Sequence, residues 1–296
     1  MVVQMKNKAD LYTSTLTCSS MISGYYRYAD IFQIFPSRKI NGNGDIQYID
    51  IEYNNNYRNK DKKLSGARTH LIFLKELVSL LSIATNEKYE IYFNKEEYQF
   101  LPEQEKILSF SDMSAEYEIS KWENKIYQPM RFGDQFVAID SNSNCFFKKY
   151  FNLSVKNRNK YDSAMFLHEI AQDVFKASAS MSFVTYISSI ETLMELEKEI
   201  LKHKIDICQL CKQKKYEIAV RFVEFVQKYS PSSEEKYEEL LKRFYTKRSK
   251  ISHTGKIFEI DKIFTNFPVG EYNEIVSISK HNRVCLFNFI LNAAFV

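Results

Sequence analysis

The sequence predicts an α+β protein in which an N-terminal mixed α/β or β-rich domain, residues 1–160, precedes a C-terminal all-α helical bundle, residues 161–296. Two observations lead to this prediction. Before residue 160, short runs of β-branched and aromatic residues alternate with polar residues between turns that contain Asn or Gly. After residue 160, apolar residues recur every three or four positions over long segments, as they do in amphipathic helices.

Strands are predicted at four places in the N-terminal domain: residues 44–53, 89–93, 117–119 and 135–139. A helix is expected over residues 70–85, whose leucines follow helical spacing while Lys75 and Glu76 fall on the opposite face. The polar residues 54–63 are expected to form an exposed loop, and the charged residues 157–162 are expected to link the two domains.

Five helices are predicted in the C-terminal domain: residues 163–177, 182–203, 214–228, 234–253 and 273–295. The short connections between them favour an antiparallel bundle. His168 and His281 fall within two of these helices and have no partner at a diagnostic spacing. Both histidines are therefore expected to lie on helix surfaces.

Composition limits the kind of protein that this chain can be. Of its 296 residues, 45% are hydrophobic and 26% are charged, which is typical of a globular protein with a sizeable core. The N-terminus has no apolar targeting region and the apolar stretches are too short or interrupted to span a bilayer, so a cytoplasmic protein without a membrane partner is expected. With 7 glycines and no glycine-rich phosphate loop, a nucleotide cradle is not expected. A net charge of +4 is too small for a general basic coat, so affinity for nucleic acid requires a local patch.

The five scattered cysteines fit a reducing compartment better than a disulfide framework. Cys208 and Cys211 are three positions apart, a spacing at which two thiolates can hold one edge of a zinc ion. A structural zinc site requires four ligands, and the sequence contains no second pair of this kind. Cys145, Cys285 or a second copy of the chain could supply the others, but a metal-free pair in a turn is the preferred interpretation. No cofactor is therefore expected, with structural zinc as the alternative.

The local basic patch lies at residues 242–256, KRFYTKRSKISHTGK, which contain six Lys or Arg residues and no Asp or Glu. Four glutamates crowd the turn before it. Acids at the start of the predicted helix and bases at its end both favour the helix macrodipole. This distribution leaves a cationic helix end that can attract a polyanion.

Arg248 and His253 within this patch are the candidate catalytic residues. An arginine stays charged at any relevant pH and offers a planar set of donors to phosphate oxygens. A histidine is the side chain whose ordinary pKa lies near neutrality, so it can take or give a proton. Together they can stabilise the charge of a phosphorane-like transition state and move a proton, which is what metal-free RNA cleavage requires.

The position of Arg248 on its helix raises a question of geometry. It falls on the apolar stripe, three residues before Ile251, so it should point toward a neighbouring helix or a partner subunit, where a cation needs compensation. Glu191 could provide that compensation across the bundle, although an exposed position is the simpler expectation for this glutamate. Gly255 is expected to cap the helix just after His253. Positions five apart are about 140° apart around a helix, so either the helix unwinds before His253 or a second subunit completes the site.

The run YTKRSKISHTG, residues 245–255, resembles the R-x4-6-H signature of HEPN domains, in particular the ApeA-like group. The likeness extends back through residues 188–200 and 208–226, so it covers about the last 135 residues. It implies a small helical bundle that dimerises and brings two signatures together at the interface. It also implies a metal-independent RNase of the kind found in toxin–antitoxin, abortive-infection and other antiviral systems.

The resemblance and the chemistry together predict the roles of individual residues. His253 would act as general base on a ribose 2′-hydroxyl, or as acid on the leaving oxygen, and Arg248 would stabilise the phosphate. Four neighbours are expected to position the RNA backbone: Tyr245, Lys247, Ser249 and Lys250. Ser249 stands after the arginine, where active members of the family often carry Asn, Asp or His.

RNA and a second copy of the chain are the expected partners, and systems of this kind add an antitoxin or a phage-derived trigger. The N-terminal domain would then sense the trigger or select the substrate. The alternative is a non-catalytic HEPN-like module that binds RNA or a protein, in which Arg248 only forms an interface salt bridge. The enzyme would produce RNA fragments without a divalent metal, whereas the module would bind RNA and leave it intact.

Overall fold

The computed structural model of the chain describes residues 11–18, 21–22, 26–36, 47–55, 57, 69–92, 136–137, 141–201, 218–262 and 268–293. These residues form an α+β architecture, as predicted, with a five-stranded antiparallel sheet in the N-terminal part and a mostly helical C-terminal part. The chain divides into two compact units, Met1–Phe147 and Lys148–Val296.

Seven short strands are present among the described residues of the N-terminal unit. They are β1 (Leu11–Cys18), β2 (Met21–Ile22), β3 (Tyr26–Tyr28), β4 (Phe32–Pro36), β5 (Gln47–Asn54), β6 (Glu90–Ile91) and β7 (Phe136–Val137). The main sheet has the order β3-β4-β5-β1-β6 with every pair antiparallel, and β2 and β7 form a separate parallel pair. The predicted strand segments at 44–53, 89–93 and 135–139 coincide with β5, β6 and β7 apart from shifted ends, while residues 117–119 lie outside the described residues.

The alternation of buried side chains along β5 shows which face of the sheet forms the core. Ile49, Ile51 and Tyr53 are each at most 1% exposed, so one face of this strand supplies the core. Strand β1, LYTSTLTC, pairs with β5 along all of its 8 residues and occupies the position between β5 and β6. Its run of Thr and Ser gives only weak apolar alternation, which is why the sequence did not predict it. The hydroxyl of Thr15 donates to Asp50 across the pair at 2.7 Å, a contact of the kind that stabilises neighbouring strands.

Helix α1 (Thr69–Thr85) confirms the predicted helix at 70–85. Its Phe73 packs edge-on against Tyr53 of β5, with 5.9 Å between ring centroids. Lys75 is exposed as expected, but Glu76 is only 1% exposed, so the expectation of an outward glutamate is wrong. The apolar surface of α1 is wider than one stripe, and the helix is buried on most of its circumference.

The predicted loop at 54–63 is described only in part. Asn54 ends β5 and Asn55 is 2% exposed, so the start of this segment is folded into the unit and the expectation of an exposed loop is wrong there. Residues 58–63 lie outside the described residues.

Among the described residues, six further helices follow: α2 (Ser141–Phe151), α3 (Val155–Val174), α4 (Ala179–Ile200), α5 (Ile218–Tyr229), α6 (Tyr237–Thr254) and α7 (Val269–Asn292). The last five confirm the five predicted helices with shifted ends, whereas α2 was not predicted. The proposed linker at 157–162 is wrong, because these residues form part of α3, which begins earlier with Ser154 as its cap. Tyr161 and Asp162 are at most 5% exposed, so this segment belongs to the core.

The bundle of the C-terminal unit is built on α4, which packs along α3 and also contacts α5, α6 and α7. Small residues allow the close approach of α3 and α4. Ser182 and Ser189 on α4 donate hydrogen bonds to the carbonyl oxygens of Ala171 and Ala164 on α3, each at 2.7 Å. These bonds satisfy buried hydroxyl groups that would otherwise destabilise the interface.

The expectation that His168 and His281 lie on helix surfaces is wrong, since they are 2% and 6% exposed. His168 Nδ1 lies 2.6 Å from the side-chain oxygen of Asn282, and Gln172 donates to Nε2 at 3.3 Å, which assigns the proton to Nδ1. His281 Nδ1 lies 2.8 Å from the hydroxyl of Ser230. Burial lowers the pKa of each imidazole from 6.5 to about 4. Both histidines are therefore neutral polar parts of the core.

Asp261, in the segment after α6, accepts hydrogen bonds from residues at the start of α4. It lies in a short 3₁₀ helix (Glu259–Asp261), and its carboxylate accepts from the backbone N–H groups of Ala179 and Ser180 at 2.6 and 2.9 Å. The hydroxyl of Ser178 adds a third donor at 3.0 Å. Burial raises the pKa of Asp261, but these hydrogen bonds outweigh burial and hold the pKa below its ordinary value. The N-terminus of α4 is thus capped by a charge from a distant segment.

Replacing this carboxylate should destabilise the C-terminal unit. We expect Asp261→Ala to lower the free energy of unfolding by about 1–2 kcal/mol, because donors at the helix N-terminus lose their acceptor. Urea unfolding monitored by circular dichroism at neutral pH measures the loss. Glu259→Ala, at an exposed position of the same 3₁₀ helix, is the control and should change the value by less than about 0.5 kcal/mol. Equal effects of the two substitutions would contradict the capping role.

Within the described parts of the chain, no helix has both the length and the apolar character needed to cross a membrane.

Candidate functional site

Helix α6 carries the candidate site and is continuous from Tyr237 to Thr254. It begins three residues later than predicted, with Glu238 and Glu239 in its first turn. Gly255 ends it in the left-handed conformation, with φ of 67°, and its N–H bonds the carbonyl of Ile251. The predicted glycine cap is confirmed, and His253 lies in the last helical turn.

Arg248 lies on the buried side of α6, as its place on the apolar stripe predicted. Phe244 and Ile251 on the same stripe are 0% and 8% exposed, and the side chain of Arg248 is 22% exposed. Its Nη2 donates to Glu191 Oε2 on α4 at 2.8 Å. Glu191 is also only 22% exposed, so the simpler expectation of an exposed-face glutamate is wrong. This carboxylate compensates the arginine charge inside the bundle.

Tyr245 binds the second oxygen of the same carboxylate. Its hydroxyl donates to Glu191 Oε1 at 2.9 Å, and its ring lies 5.2 Å from that of Phe222 on α5. Burial, together with the hydrogen bond to Glu191 and the charge of that residue, raises the pKa of Tyr245 to about 12. The hydroxyl therefore stays protonated near neutral pH and holds Glu191 in place.

The guanidinium of Arg248 keeps unused hydrogen-bonding capacity. Its Nε is buried and has no hydrogen-bond partner among the residues that the structure describes. An arginine has five N–H donors in one plane, and the contact to Glu191 uses one nitrogen. The remaining donors can bind the oxygens of an added anion, and a buried donor without a partner gains free energy by doing so.

His253 lies apart from Arg248 within one chain. It is exposed, whereas Arg248 faces α4. Because α6 does not unwind between them, five residues separate the two side chains by about 140° around the axis and about 7.5 Å along it. The first sequence-based alternative, an unwound helix, is therefore wrong. A single chain does not bring the two groups together, which leaves a second copy as the remaining route to a composite site.

Several cations of the basic run at 242–256 already bind carboxylates of the same chain, so fewer of them are available to a ligand than the sequence indicates. Lys242 pairs with Glu238 at 2.5 Å, and Arg243 and Lys247 both pair with Glu274 on α7. Of the cations in the run, Lys250 and Lys256 are exposed and have no carboxylate partner among the described residues. Ser249, between Arg248 and Lys250, is partly exposed.

Glu274 is the site residue that sequence reasoning missed. It is 14% exposed and lies 27 residues after Lys247, on a different helix. No spacing rule connects the two positions, since only the packing of α7 against α6 brings them together. A cation-rich face at helical spacing does signal that some acidic partner is needed, but it does not identify which one.

Comparison with protein-family models, curated proteins and solved structures gives no match to this chain. The resemblance to HEPN domains therefore rests on sequence alone, over residues 188–200, 208–226 and 245–255.

A metal centre finds no support in the described part of the chain, where no group of three or more His, Cys, Asp or Glu residues is placed to hold an ion. Cys208 and Cys211 lie outside the described residues. Cys145 is exposed on α2, while Cys285 is fully buried in α7, where burial raises the pKa of its thiol. A raised pKa disfavours the thiolate form that zinc requires, so Cys285 is a poor candidate for a third ligand.

Proposed function

We propose that this protein is a metal-independent endoribonuclease of the HEPN type, which acts as a homodimer with a composite site of Arg248 and His253. The observation that carries the proposal is the unbroken helix α6. It holds a carboxylate-bound arginine on one side and an exposed histidine on the other, near a cationic end. A two-fold axis near the end of α6 would place the arginine of one copy against the histidine of the other.

The proposed reaction uses the ribose 2′-hydroxyl as nucleophile. His253 takes the proton of this hydroxyl, whose oxygen attacks the adjacent phosphorus, and the bond from phosphorus to the 5′-oxygen breaks. The leaving oxygen takes a proton from water, and the protonated His253 returns its proton to the solvent, so that each site uses one His253. The products are a 2′,3′-cyclic phosphate and a 5′-hydroxyl end, so atoms and charges balance without an added reagent.

Arg248 supplies charge stabilisation in this scheme. Glu191, which Tyr245 holds in place, binds one nitrogen of the guanidinium, so the remaining donors are pre-oriented when a phosphate arrives. Donors that need no reorganisation during the reaction stabilise a transition state more strongly than mobile ones. Ser249 and Lys250, at the more exposed end of the run, are proposed to hold the RNA backbone beside the scissile phosphate.

Purified protein incubated with mixed cellular RNA in EDTA tests the proposal. We expect the wild type to produce fragments, since neither group of the site depends on a divalent metal. The fragments should carry 2′,3′-cyclic phosphate or 3′-phosphate ends, which end-specific ligation detects. Lys156→Ala removes an exposed charge of α3, outside the basic run at 242–256, and serves as the control that should keep cleaving. Fragments with 5′-phosphate ends, or cleavage only with added metal, would contradict the mechanism.

The second candidate function is a non-catalytic module that binds RNA or a protein partner. The Arg248–Glu191 contact favours it, because that ion pair already gives the arginine a structural role within one chain. In this case the wild type shifts the mobility of RNA without producing fragments in EDTA, and Arg248→Ala changes dimerisation or stability instead of chemistry. Mobility shift, fragment analysis and sedimentation on the same samples separate the two functions.

A further inference from the structure

Helices α6 and α7 enclose an open groove of about 510 Å³ on the side of α6 away from Glu191. Its lining includes Arg243 and Lys247 from α6 and Gly270, Asn273, Glu274 and Ser277 from α7. At about 100° per residue, Arg243, Lys247 and the exposed Lys250 fall within about 60° of one another. Lys250 therefore lies on the same face of α6 as the groove and nearer the end that carries His253.

One carboxylate, Glu274, restrains both cations of the groove. Its Oε1 lies 3.2 Å from Nε of Arg243, and its Oε2 accepts a hydrogen bond from Nζ of Lys247. The carboxylate is only 14% exposed, whereas Arg243 and Lys247 are 56% and 31% exposed. The cations thus remain open to solvent while their internal partner lies beneath them.

Unused donors remain in the groove. Glu274 holds Arg243 at Nε, and none of the described residues engages its two terminal nitrogens. The side chains of Asn273 and Ser277 line the same space, and a Cβ added at Gly270 would meet nothing within 4 Å. Glu271, the other acid of the lining, accepts a hydrogen bond from the backbone N–H of Ile260 at 3.0 Å. The groove therefore has room and donors for a phosphate group.

We infer that this groove is a binding track for the phosphate backbone of single-stranded RNA, in which Arg243 and Lys247 contact the phosphates and Glu274 restrains their affinity. The inference rests on the proposed function and extends it, since it names how the substrate strand reaches His253. A guanidinium and an ammonium on one helix face bind successive phosphates without reading bases. Glu274 competes with those phosphates, so RNA is held loosely enough to be released after cleavage.

The sharpest test removes the charge of Glu274 and keeps its shape. The probe is a fluorescently labelled single-stranded RNA with 2′-O-methyl groups, which lacks the hydroxyl nucleophile and stays intact during a binding measurement. Glu274→Gln should raise its affinity about fivefold, because one negative charge near the bound phosphates is lost. The chain offers a matched control in Glu199, which likewise binds two cations, Lys156 and Lys160. Glu199→Gln should leave the affinity within about twofold of wild type.

The salt dependence of binding identifies the contacts. Removing Arg243 and Lys247 together should reduce the slope of log affinity against log salt by about 1.4, since each phosphate contact on a single strand contributes about 0.7. The matched double variant, Lys156→Ala with Lys160→Ala, loses the same charge and should keep the slope. Circular dichroism of each variant verifies that the fold is retained.

The outcomes separate the two levels of inference. If the wild type cleaves ordinary RNA but Glu274→Gln and Glu199→Gln change binding equally, the groove inference is wrong and the nuclease proposal stands. If the wild type neither binds nor cleaves RNA, the proposed function is wrong and the groove inference falls with it. The inference of a phosphate-binding track is supported if RNA affinity rises in Glu274→Gln alone and if this rise disappears when Arg243 and Lys247 are also replaced.

Discussion

An equimolar mixture of Arg248→Ala and His253→Ala chains should cleave RNA at about a quarter of the wild-type rate, although each variant alone should be inactive. Each single substitution removes either the phosphate-stabilising or the proton-moving group, and we expect losses of at least about 100-fold. In a composite dimer, a mixed pair has one site with both groups and one site with neither. Half of the dimers in a random mixture are mixed pairs, which gives the expected fraction.

The control for this experiment addresses stability. Arg248→Ala also leaves Glu191 without its cation, so a loss of activity could reflect a damaged bundle. Arg248→Lys keeps a positive charge near Glu191 but loses the planar set of donors. It should retain a melting temperature near that of the wild type and still lose most cleavage. A mixture as inactive as its two parents would show that the groups do not combine across subunits, and full activity of His253→Ala would overturn the assignment.

Acidification should destabilise the C-terminal unit through its two buried histidines. The pKa of His168 and of His281 is about 4 in the folded chain, below the value of 6.5 for an unburied imidazole. The unfolded state therefore binds more protons, so this stability is fully present above pH 6.5 and is lost as the pH falls toward 4. The loss should reach on the order of 3 kcal/mol for each histidine at the lower end of this window. Urea unfolding at a series of pH values, followed by circular dichroism, measures it.

A variant isolates the histidine contribution from that of the carboxylates. His168→Gln keeps a donor for Asn282 and an acceptor for Gln172 but cannot be protonated in this range. It should be less stable than the wild type at neutral pH and lose clearly less free energy between pH 6.5 and 4. Arg283, whose charge also lowers the pKa of His168, stays in place in both proteins. Parallel pH profiles for the two proteins would contradict this account.

The helices of the C-terminal unit were predictable because their apolar residues repeat over many turns. Helix α6 shows how far this extends, since the stripe through Phe244 and Ile251 predicted both its core face and the inward direction of Arg248. Strand β1 was missed because a strand rich in Thr and Ser is defined by its pairing with β5 more than by its own pattern. Helix α2 was missed because it is short and begins with Ser and Asn residues that also favour turns.

The partners of the site were only partly predictable. The sequence indicates that Arg248 needs a carboxylate, but several glutamates on α4 share the same local chemistry. Helix packing separates them: Glu191 faces α6, Glu197 accepts hydrogen bonds from Lys228 and Tyr229 on α5, and Glu199 binds lysines of α3. Contacts of this kind depend on how the helices cross, and the spacing of residues within one helix does not predict that crossing.

The Asp261 cap also bears on the order of events in folding. Its carboxylate meets the N–H of Ala179 across 82 residues of chain, so the contact can form only when the two ends of that long segment are already close. The entropy of closing this loop must be lost before the contact stabilises anything, so we expect the contact to form after the helices between the two ends have packed. An interaction of that kind acts mainly on the rate of unfolding. We therefore expect the Asp261 cap to slow the unfolding of the C-terminal unit more than it speeds the folding.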